Sequence, residues 1–187
     1  MKVGGLRFDD ELAAFADGAI GGGLSPQVAA LIAQAGALHH VPEQALPLLE
    51  QACAAAPRHP APLIALYRFY FYGHQLAQAR AVAEDALAIA RTALGSQFGD
   101  VPPAEADARY NAAVRFYLFT LKGMAYLSMR LGDMADAHQL LKELRRLDPQ
   151  DHVGGGLLSH VLCRHENAER GNAPVDYPVR GWSAAGP

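Results

Sequence analysis

From Pro60 to Arg91 the apolar positions recur at three- and four-residue steps, pause once, and recur again. Leu63, Leu66, Tyr67 and Tyr70 share one helix face, and Ile64, Arg68, Phe71 and Tyr72 form the face beside it. Gly73-His74 interrupts the period where the chain must turn. Beyond the turn, Ala79, Ala83 and Ala86 stand at helical steps, with Leu76, Val82, Leu87 and Ile89 around them. Small residues at such steps let two helices approach closely, and large residues on the partner fill the space they leave. The stretch predicts two amphipathic helices packed as a hairpin.

The small-residue spacing is not confined to this hairpin. Ala45 and Ala52 stand 34 residues before Ala79 and Ala86, and Pro57 follows Ala52. Further on, Gly132-Asp133-Met134-Ala135-Asp136-Ala137 leads to Leu141, Leu144 and Leu147-Asp148-Pro149. Recurrence at this period marks a stacked helix-turn-helix array, in which each pair buries its apolar face against the next. The G-D-x-x-x-A passage and the closing L-D-P resemble the tetratricopeptide repeat family. The units fall at about 26–59, 60–93 and 118–151, half to two-thirds of the chain. The first unit lacks the large aromatic of the family pattern, and the second lacks its closing proline. The resemblance implies an all-α fold, a short right-handed α-solenoid with N- and C-terminal capping helices. It also implies a non-enzymatic adaptor, scaffold or chaperone, with the first helix of each pair lining a concave surface.

The remaining segments are read around these units. Ser25-Pro26 is a helix start, with Ser25 as N-cap, and the helix runs to about Leu38. His39-His40 fall in a turn, and the next helix opens at Pro42, with Pro47 loosening its first turn. Residues 94–117 form an insertion. Within it 94–103 has turn chemistry, whereas the pattern over 104–131 predicts one continuous helix ending at Gly132. Gly154-Gly155-Gly156 separates the third unit from a capping helix at about 157–168, and 171–187 reads as an extended or disordered tail. At the other end, Phe8-Asp9-Asp10-Glu11 leads into a short helix ending near Ala16, which covers the first unit, and 18–23 is a glycine hinge.

Composition narrows the function classes. The chain has 187 residues, 51% hydrophobic, which suits one helical domain over 1–170. It shows neither an 18-residue apolar run nor an apolar leader, so a cytoplasmic protein without a membrane partner is expected. A net charge of −3 gives no general attraction to nucleic acid. Cys53 and Cys163 belong to no C-x-x-C pair, and reduced thiols are expected. No H-E-x-x-H or G-x-S-x-G is present, so neither a catalytic residue nor a cofactor is assigned. The best metal-ligating set is His160, Cys163 and His165, with His152 as a possible fourth ligand. His165 lies about 140° around the helix from His160, so the three do not converge from one helix. A buried thiol between surface histidines is the expectation there. An accessory or maturation factor with a metal or small-ligand site is the alternative function.

The resemblance places Gln27, Ala30, Gln34 and Ala37 on the concave surface, then Ala61, Ile64, Arg68, Phe71 and Tyr72. The third unit adds Phe119, Lys122, Tyr126, Met129 and Arg130. The continuous helix would extend that stripe backward through Arg115, Ala112 and Ala108. Basic and aromatic side chains interleave there without an acid. Arg68, Phe71, Tyr72, Arg115, Phe119, Lys122, Tyr126 and Arg130 are therefore the candidate partner-binding residues, and metal ligands are not assigned. The expected ligand is a protein or peptide segment carrying acidic and apolar side chains. The chain's own tail, or a second copy forming a homo-oligomer, is another candidate occupant. The family's carboxylate clamp is absent, since Ala30, Gln34, Ala65, Phe119 and Gly123 stand at its positions.

Overall fold

A computed structural model describes residues 23–169. They form helices α1 (Pro26–Ala37), α2 (Pro42–Ala55), α3 (Pro60–Tyr72), α4 (Leu76–Leu94), α5 (Glu105–Tyr110), α6 (Ala112–Leu131), α7 (Met134–Leu147) and α8 (Gly156–Glu169). The described residues are thus all-α. The expected helix near Ala16 and the tail from Gly171 lie outside them.

Local chemistry sets the boundaries. The Ser25 hydroxyl accepts from the Val28 N–H at 3.3 Å, and Pro26 opens α1. At the start of α3 the cap is an imidazole: buried His59 accepts from the Ala61 N–H through Nδ1 at 3.2 Å. Asp133 caps α7 by accepting from the Asp136 N–H at 3.0 Å. Gly132 ends α6 at φ 85°, a left-handed conformation that costs a glycine little. The turn after α3 works differently from the sequence expectation. Its left-handed residue is His74, at φ 58°, while Gly73 keeps φ −77°. A Cβ on Gly73 would stand 3.0 Å from the Phe69 carbonyl oxygen, so the glycine serves close approach there.

One predicted element is corrected. Residues 104–131 do not form a continuous helix. The chain breaks at Asn111, whose extended backbone (φ −78°, ψ 114°) ends α5. Its side-chain oxygen then accepts from the N–H groups of Ala113 and Val114 at 3.0 and 3.3 Å, which starts α6. Asparagine competes with helix continuation in this way because its short amide reaches nearby backbone donors. Helix α6 therefore starts at Ala112 and runs unbroken to Leu131.

The long helices pack in chain order: α1 on α2, α2 on α3, α3 on α4, α4 on α6, α6 on α7, and α7 on α8. The short α5 rests on α6, and α8 also reaches α6. Ala45, Ala52, Ala79 and Ala137 are fully buried, and Ala86 nearly so. The spaced alanines thus lie where helices meet. Helix α6 is the hub of the core. Phe116, Leu118, Leu121, Ala125 and Leu127 are all buried along it. Burying a side chain of Leu size contributes roughly 1.5–3 kcal/mol against leaving it in water. Thr120 and Ser128 share that interior, and each hydroxyl meets the carbonyl one turn back: Thr120 with Phe116 at 2.8 Å, Ser128 with Met124 at 3.0 Å.

Candidate binding face

The candidate residues group into three clusters along α3 and α6. The first is a row of rings. Tyr67 stacks on Phe71 with centroids 5.7 Å apart, and Phe71 meets Tyr126 of α6 at 6.0 Å. Tyr126 carries Arg130 above it: the guanidinium lies 5.8 Å from the ring centroid and donates to the hydroxyl at 2.8 Å. Tyr72 sets its edge against Phe71 at 5.5 Å and is 68% exposed. Such ring pairs attract beyond their buried area, and a tyrosine accommodates a wet edge. Burial, followed by the neighbouring Tyr72 and Tyr126, pushes the Tyr67 hydroxyl up to about 12.

The second cluster is Phe119 between two cations. The Arg115 guanidinium lies 5.3 Å from its centroid and the Lys122 ammonium 4.9 Å. Both cations also have structural work. Arg115 donates to the carbonyls of Ala108 and Arg109 at 3.3 and 3.1 Å, at the end of α5. Lys122 donates to the Val153 carbonyl in the turn before α8. The break at Asn111 is the reason for the first of these. It turns α5 away from the axis of α6, so Ala108 is buried instead of continuing the exposed stripe, and its carbonyl comes within reach of Arg115.

The third cluster borders a cleft of 630 Å³ between α1, α2 and α3. Ile32 and Gly36 line it from α1, Leu49 from α2, and Ala65, Arg68 and Tyr72 from α3. A separate apolar cavity of only 30 Å³ lies between α3, α4 and α6, lined in part by Tyr67, Phe119 and Gly123. Gln27, Ala30, Gln34 and Ala37 of α1 are exposed.

The histidines do not assemble. His160 and Cys163 are exposed on α8, and among the described residues no group of three or more His, Cys, Asp or Glu is placed to hold a metal ion. The expectation of a buried Cys163 is corrected, because α8 turns Leu162 into the core instead. Cys53 is half-buried, and burial, with Glu50 and Asp85 adding to it, pushes its thiol up.

Two charged clusters join residues that the sequence pattern does not pair. Arg80 of α4 reaches Asp136 at 3.1 Å and Asp133 at 3.4 Å, and Glu84 on its own helix at 3.3 Å. Asp136 also accepts from the buried Ser128 hydroxyl at 2.6 Å. The second cluster is Asp148 with His152. One carboxylate oxygen lies 2.8 Å from the imidazole Nδ1, and the other accepts from the Val153 N–H at 2.9 Å. The far side of that ring faces Glu105 of α5 at 3.7 Å. Burial pushes the Asp148 carboxyl up, but the hydrogen bonds from Val153 and His152 and the histidine's charge outweigh it and hold the group below its ordinary range. The L-D-P aspartate thus ties the end of α7 to the turn before α8.

No family model matches this chain, and no solved structure matches it. Over 124 residues it is 36% identical to a protein of Azotobacter chroococcum mcd 1, described as "Uncharacterized 19.8 kDa protein in nifW 5'region". The aligned part covers 64% of this chain and 69% of that protein. This chain belongs to the same family as the Azotobacter protein. The two agree in size as well, since this chain has a mass of 20.0 kDa. No helix among the described residues is long and apolar enough to cross a membrane.

Proposed function

We propose that this chain is a non-enzymatic protein-interaction module, a cytoplasmic adaptor or chaperone of bacterial type. On this reading the helices are tetratricopeptide-like pairs in a short right-handed solenoid closed by capping helices. A segment of another protein, carrying acidic and apolar side chains, lies along α3 and α6 and into the cleft beside α1. The chain-order packing and the buried alanines spaced by one repeat support the architecture.

The observation that carries the binding role is the position of Tyr72. It closes the ring row from Tyr126 through Phe71, borders the 630 Å³ cleft together with Arg68, and is 68% exposed. A large aromatic left open beside a cleft, with a guanidinium on the same wall, suits an anchor for an apolar side chain next to an acid. Arg68 and Arg130 would set register and encounter rate, and the rings would supply most of the affinity. The alternative, an accessory or maturation factor with a metal or small-ligand site, has no cluster of three or more His, Cys, Asp or Glu behind it among the described residues.

Selection from a displayed library of random peptides on the full chain tests the proposal. Enriched peptides should pair Asp or Glu with Leu or Phe. Tyr72→Ala should speed their dissociation while leaving the circular dichroism spectrum unchanged. Arg68→Glu with Arg130→Glu should slow association and flatten its salt dependence. Enriched peptides that bind all these variants like wild type would place the binding face elsewhere. Proteins encoded beside nifW are the natural partners to test first, given the Azotobacter relative.

A further inference from the structure

The cleft between α1, α2 and α3 is walled by the first described helix, and 22 residues of chain lead into that helix just before Gly23. Their composition is uneven. Phe8, Leu12 and Phe15 occur at steps of four and three, the spacing of one helix face, and Asp9, Asp10 and Glu11 stand among them. Acidic and apolar side chains in one short segment are the chemistry proposed for a partner of this cleft. We propose that residues 8–15 of the same chain are the resident occupant of this cleft, and that an outside partner must displace them. The inference rests on the reading of the cleft as a segment-binding site, and it adds the segment that binds there.

Three arguments favour this occupant. The first is reach. Phe15 and Gly23 stand eight residue steps apart along a glycine-containing stretch, which spans up to about 26–29 Å when extended. From the start of α1 to Gly36 is about 15 Å along the helix. The tether therefore covers the distance to the cleft and lets the segment run back along α1. The second is chemistry. Ile32, Leu49 and Ala65 offer an apolar floor and Arg68 a cation, against the three apolar side chains and three acids of residues 8–15. A cleft of 630 Å³ is within the range of about 300–1,000 Å³ typical of ligand pockets, room for two or three side chains. The third is contrast with the other end. Residues 171–187 carry one acid, Asp176, and one base, Arg180, and they leave from α8, which does not pack on α1, α2 or α3.

A tether this short raises the effective concentration of the segment to the order of millimolar, so an outside segment of equal intrinsic affinity binds more weakly by the corresponding factor. Substituting Phe8→Asp and Leu12→Asp in the full chain should tighten binding of a selected peptide by about ten-fold or more. Docking itself is read directly with a nitroxide label. Cys53→Ala and Cys163→Ala remove the native thiols, and Ala13→Cys places the label beside the apolar stripe rather than in it. In the isotope-labelled chain the amide signals of Ile32, Gly36 and Ala65 should broaden, while Leu162 of α8 stays sharp. Adding Phe8→Asp and Leu12→Asp should restore the cleft signals. Sharp cleft signals in the labelled protein overturn the inference, as does broadening centred on Phe119. Broadening seen only when spin-labelled chains are mixed with isotope-labelled, nitroxide-free ones also overturns it, in favour of a second copy. Selected peptides that bind the cleft while the label leaves it sharp would sink this inference and leave the partner-binding proposal standing. Broadening that persists where no outside peptide binds would do the reverse.

Discussion

The hydroxyl of Tyr67 on α3 lies 3.4 Å from the point where a side chain at Gly123 of α6 would begin. The glycine is thus the seat of the tyrosine, whose long side chain reaches from α3 to the bare backbone of α6. Gly123 sits inside a 20-residue helix, where replacing glycine by alanine gains up to about 1 kcal/mol of helix propensity. A methyl group at 3.4 Å needs only a slight shift of the tyrosine. Gly123→Ala should therefore lie within about 1 kcal/mol of wild type by urea unfolding. Gly123→Leu fills the space of the phenol itself and should destabilise by roughly 1–3 kcal/mol. Equal stability of the two variants would mean that the Tyr67 seat is not close-packed.

Tyr67 itself makes a prediction at high pH. Its folded-state value of about 12 stands above the ordinary 10.0, so the unfolded chain loses this proton first as pH rises. The contribution is intact below pH 10, declines as pH rises, and is lost above about 12. Alkaline titration followed by tyrosinate absorbance should show a late-ionising group among the seven tyrosines. Tyr67→Phe should remove that late step. A variant whose titration keeps it assigns the step to another ring.

The hairpin at Pro60–Arg91 and the 34-residue spacing of alanines were legible because burial imposes a period on apolar residues, and Ala45, Ala52, Ala79 and Ala86 are indeed buried. The break at Asn111 was not, because asparagine neither disrupts an apolar period nor forbids a helix, and its capping role depends on which donors it reaches. The site was legible in part. Sequence placed Phe71 and Tyr126 on one concave surface, and their rings meet. It also offered Arg115 and Lys122 as face charges, whereas both are tied to backbone carbonyls of neighbouring segments. Those acceptors lie in the irregular turns around α5 and α8, and no periodicity predicts where a turn points its carbonyls. Arg80 escaped notice for a related reason: its two aspartates are more than fifty residues away, and only the packing of α4 beside the start of α7 brings them close.

That arginine cluster divides into a weak part and a stronger one. The ion pairs of Arg80 are partly exposed, and exposed pairs are worth about 0–1 kcal/mol each. Ser128 is fully buried, so its bond to Asp136 at 2.6 Å matters more. Asp136→Ala should cost about 1–3 kcal/mol, more than Arg80→Ala. Ser128→Ala added to Asp136→Ala should cost less than Ser128→Ala alone, since the partner is already gone. Strict additivity in a denaturant double-mutant cycle would show that the two groups are not coupled.

The last prediction concerns acid. Asp148 is 2% exposed and both its oxygens are engaged, one by the His152 ring and one by the Val153 N–H. Its folded-state value lies below the ordinary 3.8, because these interactions favour the ionised form more than burial opposes it. As pH falls, the unfolded chain therefore takes up this proton before the folded one does. The contribution is present above about pH 4 and is lost as pH falls through the depressed folded value. Asp148→Asn has no carboxyl to titrate. At neutral pH it sets an amide donor against one of two groups that presented hydrogens to the carboxylate. The variant should be less stable than wild type at pH 7, and the gap should narrow as pH falls below about 4 and the wild type loses its advantage. The turn that Asp148 organises also presents the Val153 carbonyl to Lys122 and His152 to Glu105, so amide exchange in α5 and at the start of α8 should quicken in the variant. Urea midpoints for both proteins across this range decide the matter. A gap that stays constant from pH 7 to pH 2 would show that Asp148 holds the turn by shape alone, with no share from its charge.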